Sequence, residues 1–441
     1  MIGNKSGAAT LVADKSTTKV VPLGYKQTKV GVIPEEWEVV RLENLIAELE
    51  AGISVNSTDD FCSSNADKGI LKTSAVSNGR FISSENKKII QKDIDRAKLN
   101  PKKGNLIISR MNTPELVGAI AIVEKDFNNL YLPDRLWQTK FFDINSQDSY
   151  WLNYLLNTSK YKAKVRNLAT GTSGSMKNIS KKAFLKIEIP LPPLKEQQKI
   201  AQILTTWDDA ISKQEALIEA KEQLKKGLMQ KLLSGEVRFT GFDEEWEEVR
   251  LGDIFDERSR RFKDLKTEEV KQYSELLSVG INSGVTKRSE NDAKDNSSSD
   301  KGNYKILDEN DIVYNTMRMW QGASGVSTLK GIVSPAYTIV HLKDNYCIDF
   351  FGLLFKAHRV VFDFYRYSQG LTSDTWNLKY PHFSEVKVKI PTTKLEQQKI
   401  AQVFATADKE IALLKEELEI LKEQKRGLMQ KLLMGEVRVR V

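Results

Sequence analysis

The stretch Glu196-Gln-Gln-Lys-Ile-Ala-Gln202 returns letter for letter at Glu396-Gln-Gln-Lys-Ile-Ala-Gln402, 200 residues further along a chain of 441. At the same spacing Gly-Leu-Met-Gln-Lys-Leu-Leu stands at 227–233 and 427–433, and Gly-Glu-Val-Arg at 235–238 and 435–438. The chain is therefore a tandem duplication, and what repeats is a long helix with its exit. The segments ahead of each helix barely resemble one another. Two constant rods are thus joined to two different globular units, which places specificity in the parts that differ.

Each rod starts at a proline boundary, Ile189-Pro-Leu-Pro-Pro193 before the first and Ile390-Pro391 before the second, the usual punctuation of a helix start. Some forty residues without proline, at about 1.5 Å each, make a rod of about 60 Å, against about 12 residues for an ordinary globular helix. Such a helix needs a partner. In the second rod Phe404, Ala407, Ile411, Leu414, Leu418, Leu421, Leu428 and Leu432 follow steps of three and four, with Lys425 alone breaking the seam. The first rod carries Leu204, Trp207, Ile211, Ile218, Leu228 and Leu232 in the same register, interrupted by Gln214, Lys221 and Lys225. This is a coiled-coil pattern whose polar seam positions select register and partner. The two rods are expected to pack on each other, antiparallel.

Gly31-Val-Ile-Pro-Glu-Glu-Trp-Glu-Val-Val-Arg-Leu42 matches Gly241-Phe-Asp-Glu-Glu-Trp-Glu-Glu-Val-Arg-Leu251. The second of these follows directly on Gly235-Glu-Val-Arg238. The predecessor expected for the first lies instead at the far end of the chain, at Gly435-Glu-Val-Arg438. The two ends are therefore expected to meet in space, giving a closed pseudo-two-fold object. The domain reading is a tail at 1–23 without a core of its own, a globular unit at 24–190, a long helix at 191–240, a second unit at 241–391 and a second long helix at 392–441.

Within the units, Leu185, Ile187 and Ile189 alternate with charged residues, as do Val386, Val388 and Ile390, which predicts a closing half-buried strand in each. Upstream, the apolar trios at 106–108 and 312–314 predict a strand that delivers a polar turn. Its candidates for bonding base edges or phosphates are Ser109, Arg110, Asn112 and Thr113 in one unit, and Asn315, Thr316, Arg318 and Gln321 in the other. A second polar stretch precedes each closing strand: Ala169-Thr-Gly-Thr-Ser-Gly-Ser-Met-Lys177 offers Thr172, Ser173 and Lys177, and Ser368-Gln-Gly-Leu-Thr-Ser-Asp-Thr-Trp-Asn-Leu-Lys379 offers Thr372, Ser373 and Lys379. Glycine admits close backbone approach, and hydroxyls and ammonium groups bind phosphate oxygens.

Composition narrows the function classes. Lys and Arg number 67 against 59 acidic residues, a net charge of +8, which favours a polyanionic partner. Cys62 and Cys347 are the only cysteines, too few for a disulfide framework or a thiolate cluster. No apolar run approaches the roughly 18 residues that span a bilayer, and no signal-peptide stretch opens the chain; a cytoplasmic location is expected. Gly is nowhere followed by Lys, so a Walker loop and ATP hydrolysis are not expected. His341, His358 and His382 all lie in the second half, leaving a His-based site without a counterpart in the first, and no metal site is expected. Pro192-Pro193 has no Asn or Asp before it and no aromatic after it, unlike the tetrapeptide that amino-methyltransferases use around a flipped base. Pro133-Asp134 followed by Gln138-Thr-Lys140 is spaced too tightly to put nuclease ligands on separate strands.

The segment 31–42, the loop Ser109-Arg-Met-Asn-Thr113, the run Ile189-Pro-Leu-Pro-Pro-Leu-Lys-Glu-Gln197 and the closing Gly-Leu-Met-Gln-Lys-Leu-Leu together resemble the specificity subunit of Type I restriction-modification systems. The resemblance covers everything after about residue 23. It implies an α+β fold in which two mixed α/β target recognition domains are separated by two long antiparallel helices. Each domain would read one half of a split site in double-stranded DNA. It further implies a non-catalytic chain with no cofactor of its own, two methyltransferase (modification) subunits carrying S-adenosylmethionine, and restriction/translocase subunits using ATP and Mg. The second rod departs from the pattern, starting Ile390-Pro-Thr-Thr-Lys-Leu395 without the double proline, and the second turn reads Asn315-Thr-Met-Arg318 where the first has Ser109-Arg-Met-Asn112. Rods of fixed length imply a constant number of unread bases between the half-sites. The competing readings are a coiled-coil scaffold that binds only proteins, which would leave the two divergent units unexplained, and a chain that modifies DNA unaided.

Overall fold

The computed structural model describes residues 21–62, 67–77, 79–171, 176–290, 300–372 and 375–441. They fall into two units, one built from the chain up to Ser212 together with Glu419–Val441, the other from Lys213–Leu418. The long helices span Leu194–Leu232 and Lys394–Leu433, and each unit contains one portion of each.

In the first unit a six-stranded sheet runs in the order Ile46–Ala51, Leu136–Phe141, Leu106–Ser109, Ile120–Ile122, Gly79–Phe81, Val76–Ser77. Leu106 and Ile108 face the helices Ser149–Leu156 and Ser159–Asn167, packing with Trp151, Leu155 and Tyr161. Ile107 points the other way, into a separate cluster with Ala121, Leu130 and Leu136. Both faces being covered explains why this strand reads as an unbroken apolar run instead of an alternation. The second unit repeats the first four positions with Phe255–Arg258, Tyr337–Leu342, Ile312–Asn315 and Ser324–Val326. Ile312 and Tyr314 pack on Phe351 and Phe355, while Val313 joins Ile339 on the opposite face.

The closing strands are Glu188–Leu191 and Lys387–Ile390, paired antiparallel with Glu38–Arg41 and Glu247–Arg250. Their register corrects one sequence expectation. Leu185 is the last residue of a short helix, Lys181–Leu185, and not part of the strand. The carbonyl of Ile187 accepts from Leu42 N at 3.0 Å, as that of Val386 does from Leu251 N at 2.9 Å. Val386 is thus the counterpart of Ile187. Alternation along one strand does not say where its ladder begins; the partner strand decides that.

The repeated motifs converge on one device at the foot of each long helix. Glu196, 1% exposed, accepts from Trp37 Nε1 at 2.9 Å and from Arg438 Nε at 2.8 Å. Glu396, also 1% exposed, accepts from Trp246 Nε1 at 3.3 Å and from Arg238 Nε and Nη2 at 2.9 and 2.8 Å. The neighbouring glutamines bridge in parallel fashion: Gln197 accepts from Asp148 N and donates to Pro192 O, and Gln397 accepts from Cys347 N and donates to Pro391 O. Gly435 and Gly235 take left-handed φ values of 72° and 74° just past the helices, with Trp37 and Trp246 against their backbones, a conformation and a closeness that favour glycine. Because Arg438 also binds Glu36 at 2.8 Å and Tyr25 Oη donates to Gly435 O, the C-terminal segment closes the first unit.

The polar breaks in the helix seam are occupied by cross-helix bonds. In the second unit Gln214 donates to Glu417 at 3.0 Å, Lys221 pairs with Glu410 at 2.6 Å and Lys225 pairs with Asp408. Partner numbers fall as these rise, so the helices run antiparallel there. In the first unit Lys425 pairs with Asp208 at 2.7 Å, mirroring Lys225 and Asp408.

Candidate nucleic-acid interface

In both units the two polar stretches come together. Met111–Asn112 pairs antiparallel with Lys177–Asn178, and Thr170 bridges Asn178. In the second unit Leu378 N donates to Thr316 O at 2.8 Å and Gln369 bridges Asn377. The scaffold bonds correspond: Ile179 N donates to Arg110 O as Leu378 N does to Thr316 O, and Arg110 N to Arg135 O as Thr316 N to Ala336 O. Each central strand thus delivers its polar turn to the same place in its unit, beside the loop that precedes the closing strand.

The side chains on these edges differ. Ser109 is fully buried and its hydroxyl accepts from Asn112 Nδ2 at 3.2 Å, so it supports the turn from beneath and is not available to a ligand. Arg110 donates from Nε to Asp134 O at 2.6 Å and lies 3.7 Å from the Asp134 carboxylate, which fixes the guanidinium at the edge with Arg135 exposed beside it. Asn112 holds Thr113 N through its Oδ1, and Lys177 donates to Gly171 O at 2.9 Å. Thr172, Ser173 and Ser373 lie outside the described residues.

On the second edge Asn315 Oδ1 accepts from Met317 N, and Thr316 Oγ1 donates to Ala336 O at 2.7 Å. Arg318 is exposed, with Nη1 3.4 Å from Gln321 Oε1; Thr372 is engaged with Thr375, and Lys379 is exposed ahead of the short helix Tyr380–Phe383. Sequence reasoning missed the aromatic group there. Trp320 and Trp376 meet edge to face at 5.2 Å, and Tyr365 meets Trp376 at 5.0 Å. Trp376 stands in the polar stretch 368–379 and Trp320 beside the candidate Gln321, so a tryptophan in each of two otherwise polar loops was the available signal. Lys356, its pKa pulled down to about 8 by burial, ties this edge to its surroundings by donating to Ile281 O, Gly322 O and Ser324 O at 2.7, 2.6 and 2.8 Å.

The nuclease-like residues serve structure. Gln138 is 1% exposed, with Oε1 accepting from Lys102 N at 2.9 Å, and Asp134 holds Arg110. Among the described residues no group of three or more His, Cys, Asp or Glu could hold a metal ion. No helix of the described residues is long and apolar enough to cross a membrane.

Two surfaces with one backbone frame and unlike polar edges define a duplicated recognition protein. The family model for the Type I restriction modification DNA specificity domain matches residues 34–222 and again 243–423, and the chain belongs to this family. A Methanocaldococcus jannaschii chain provisionally named the type I restriction enzyme MjaX specificity subunit is 29% identical over 240 residues, 52% of this chain and 55% of that one. The MjaVIII specificity subunit of the same organism is 25% identical over 92% of this chain and 94% of its own length. The crystal structure of a Type I restriction-modification S subunit from M. genitalium shares the fold, with a TM-score of 0.53 at 18% identity over 90% of this chain and 96% of that one. The chain is accordingly a DNA-recognition subunit and not the catalyst of its system, and nothing favours a scaffold that binds proteins alone.

Proposed function

We propose that the chain reads a two-part DNA site, one part with each edge, and positions two methyltransferase subunits for adenine methylation. The observation that carries this reading is the pairing of a constant frame with a variable edge: the order of the four shared strands and the Glu196 and Glu396 joints repeat, while the matching backbone bonds set Arg110 and Lys177 where the other unit has Thr316 and Trp376, and Asn112 and Arg318 follow on the two turns. Arg and amide side chains discriminate bases in the major groove, and lysines and hydroxyls hold phosphates. S-adenosylmethionine would be supplied by the methyltransferase, and ATP and Mg by restriction/translocase subunits that join for cleavage. The long helices, at 39 and 40 residues, would hold the gap between half-sites constant.

The test is sequence-resolved mapping of adenine methylation in cells that express the chain with the methyltransferase encoded beside it. A two-part motif with a fixed gap, lost when the chain is omitted, is the expected result. Methylation indifferent to the omission would overturn the proposal.

A further inference from the structure

A groove of roughly 460 Å³ opens in the second unit between the end of the first long helix, the closing strand and the helix His358–Tyr367. Its floor is apolar, formed by Met229, Leu233, Leu354 and Val388. Its rim is cationic. Lys387 is paired with Glu248 at 2.9 Å and Asp363 with Arg366 at 3.3 Å; Arg359 and Lys389 also face the Glu248 carboxylate, so with Lys226 the cations on the rim outnumber its two carboxylates.

The corresponding place in the first unit is filled. There the hairpin Tyr25–Thr28 and Gly31–Pro34 precedes the segment that carries Trp37. Val30, in its turn, is 3% exposed and joins the main core. Lys160 donates to the Val30 carbonyl, and a Cβ on Gly31 would lie 4.0 Å from Met434 Cε. Lys160 is the second residue of the helix Ser159–Asn167, as Arg359 is of His358–Tyr367. Met434 stands 200 residues beyond Ser234, which lines the groove. The second unit has no such hairpin, because its chain comes to Trp246 directly from the long helix through residues 233–246, which form no strand.

We infer that this groove receives a turn of the methyltransferase subunit that carries an aliphatic side chain at its tip and carboxylates beside it. The inference rests on the proposed function for the identity of the partner. The filled counterpart supplies the shape of the occupant: an aliphatic tip seated on the floor with its carbonyl turned to the cation at the start of the helix. The excess of cations over carboxylates on the rim supplies the charge, since the hairpin of the first unit, with Lys26 and Lys29, would be repelled here. A phosphate backbone would match the rim but leave the apolar floor uncovered.

The full chain is co-purified with the methyltransferase encoded beside it, and a benzoylphenylalanine crosslinker replaces Ala357 on the groove wall. A crosslink to a methyltransferase turn in which an aliphatic residue adjoins Asp or Glu supports the inference. So does a loss of at least tenfold in assembly affinity when Arg359→Glu and Lys389→Glu are combined, both being exposed positions, with the melting temperature unchanged. Assembly of the complex with crosslinks to DNA alone or to nothing would overturn the groove assignment while sparing the proposed function, as would undiminished assembly of the double variant. Failure of the unmodified chain to assemble would overturn both.

Discussion

The two units share a foot and differ at an edge. At the foot, a buried glutamate bonds a tryptophan and an arginine in each unit with nearly the same geometry, 2.9 and 2.8 Å in one and 3.3 and 2.9 Å in the other. At the edge, equivalent backbone bonds carry an anchored arginine with an asparagine in one unit and an exposed arginine with an aromatic pair in the other. A carboxylate removed from water must keep its partners, so the residues around it are not free to vary. A solvated turn whose backbone is already bonded carries no such constraint. Duplication can preserve the foot while the edges diverge, and that division is what a reader of two different half-sites requires.

The largest effect should come from breaking the foot. Glu396→Ala leaves Arg238 and Trp246 without their buried acceptor and should cost about 3–5 kcal/mol, read by urea denaturation; Glu196→Ala should cost a similar amount. A neutral outcome in either would show that the two feet are not equivalent. Next, Arg318→Ala should weaken recognition of one half-site by about 1–3 kcal/mol and leave the other intact, measured by competition with DNAs altered in one half at a time.

The glycines sharpen the comparison. An alanine at either position suffers left-handed strain of about 1–2 kcal/mol, but at Gly435 the added Cβ would also lie 2.5 Å from Pro34 Cδ, against 3.3 Å from the Trp246 ring at Gly235. Gly435→Ala should therefore lower the melting temperature more than Gly235→Ala. The smallest effects belong to the seam lysines. Lys425 and Asp208 are 18% and 26% exposed, against 24% and 56% for Lys225 and Asp408, and Lys425 also lies 5.2 Å from the Tyr154 ring centre. Lys425→Ala should cost about 1 kcal/mol and Lys225→Ala less, again by denaturation.

Features encoded by repetition and period were legible in the sequence: the duplication, the long helices and their antiparallel seam, and the return of the C-terminal segment to Trp37. What escaped depends on partners far apart in the chain. The burial of Ser109 follows from the sheet around it. The tie between Arg110 and Asp134 crosses 24 residues. The strand pairing that shifts Val386 onto Ile187 is set by the segment that ends at Leu251. The meeting of Trp320 with Trp376 requires two loops 56 residues apart to share one edge. None of these leaves a local period to read.

The most direct test of the central claim exchanges one edge and nothing else. Residues 315–321 and 368–379 would be replaced with the corresponding segments of another family member, and adenine methylation mapped in cells carrying the methyltransferase. The account predicts a motif with one half changed, and the other half and the gap retained. A motif altered in both halves, or in neither, would contradict it.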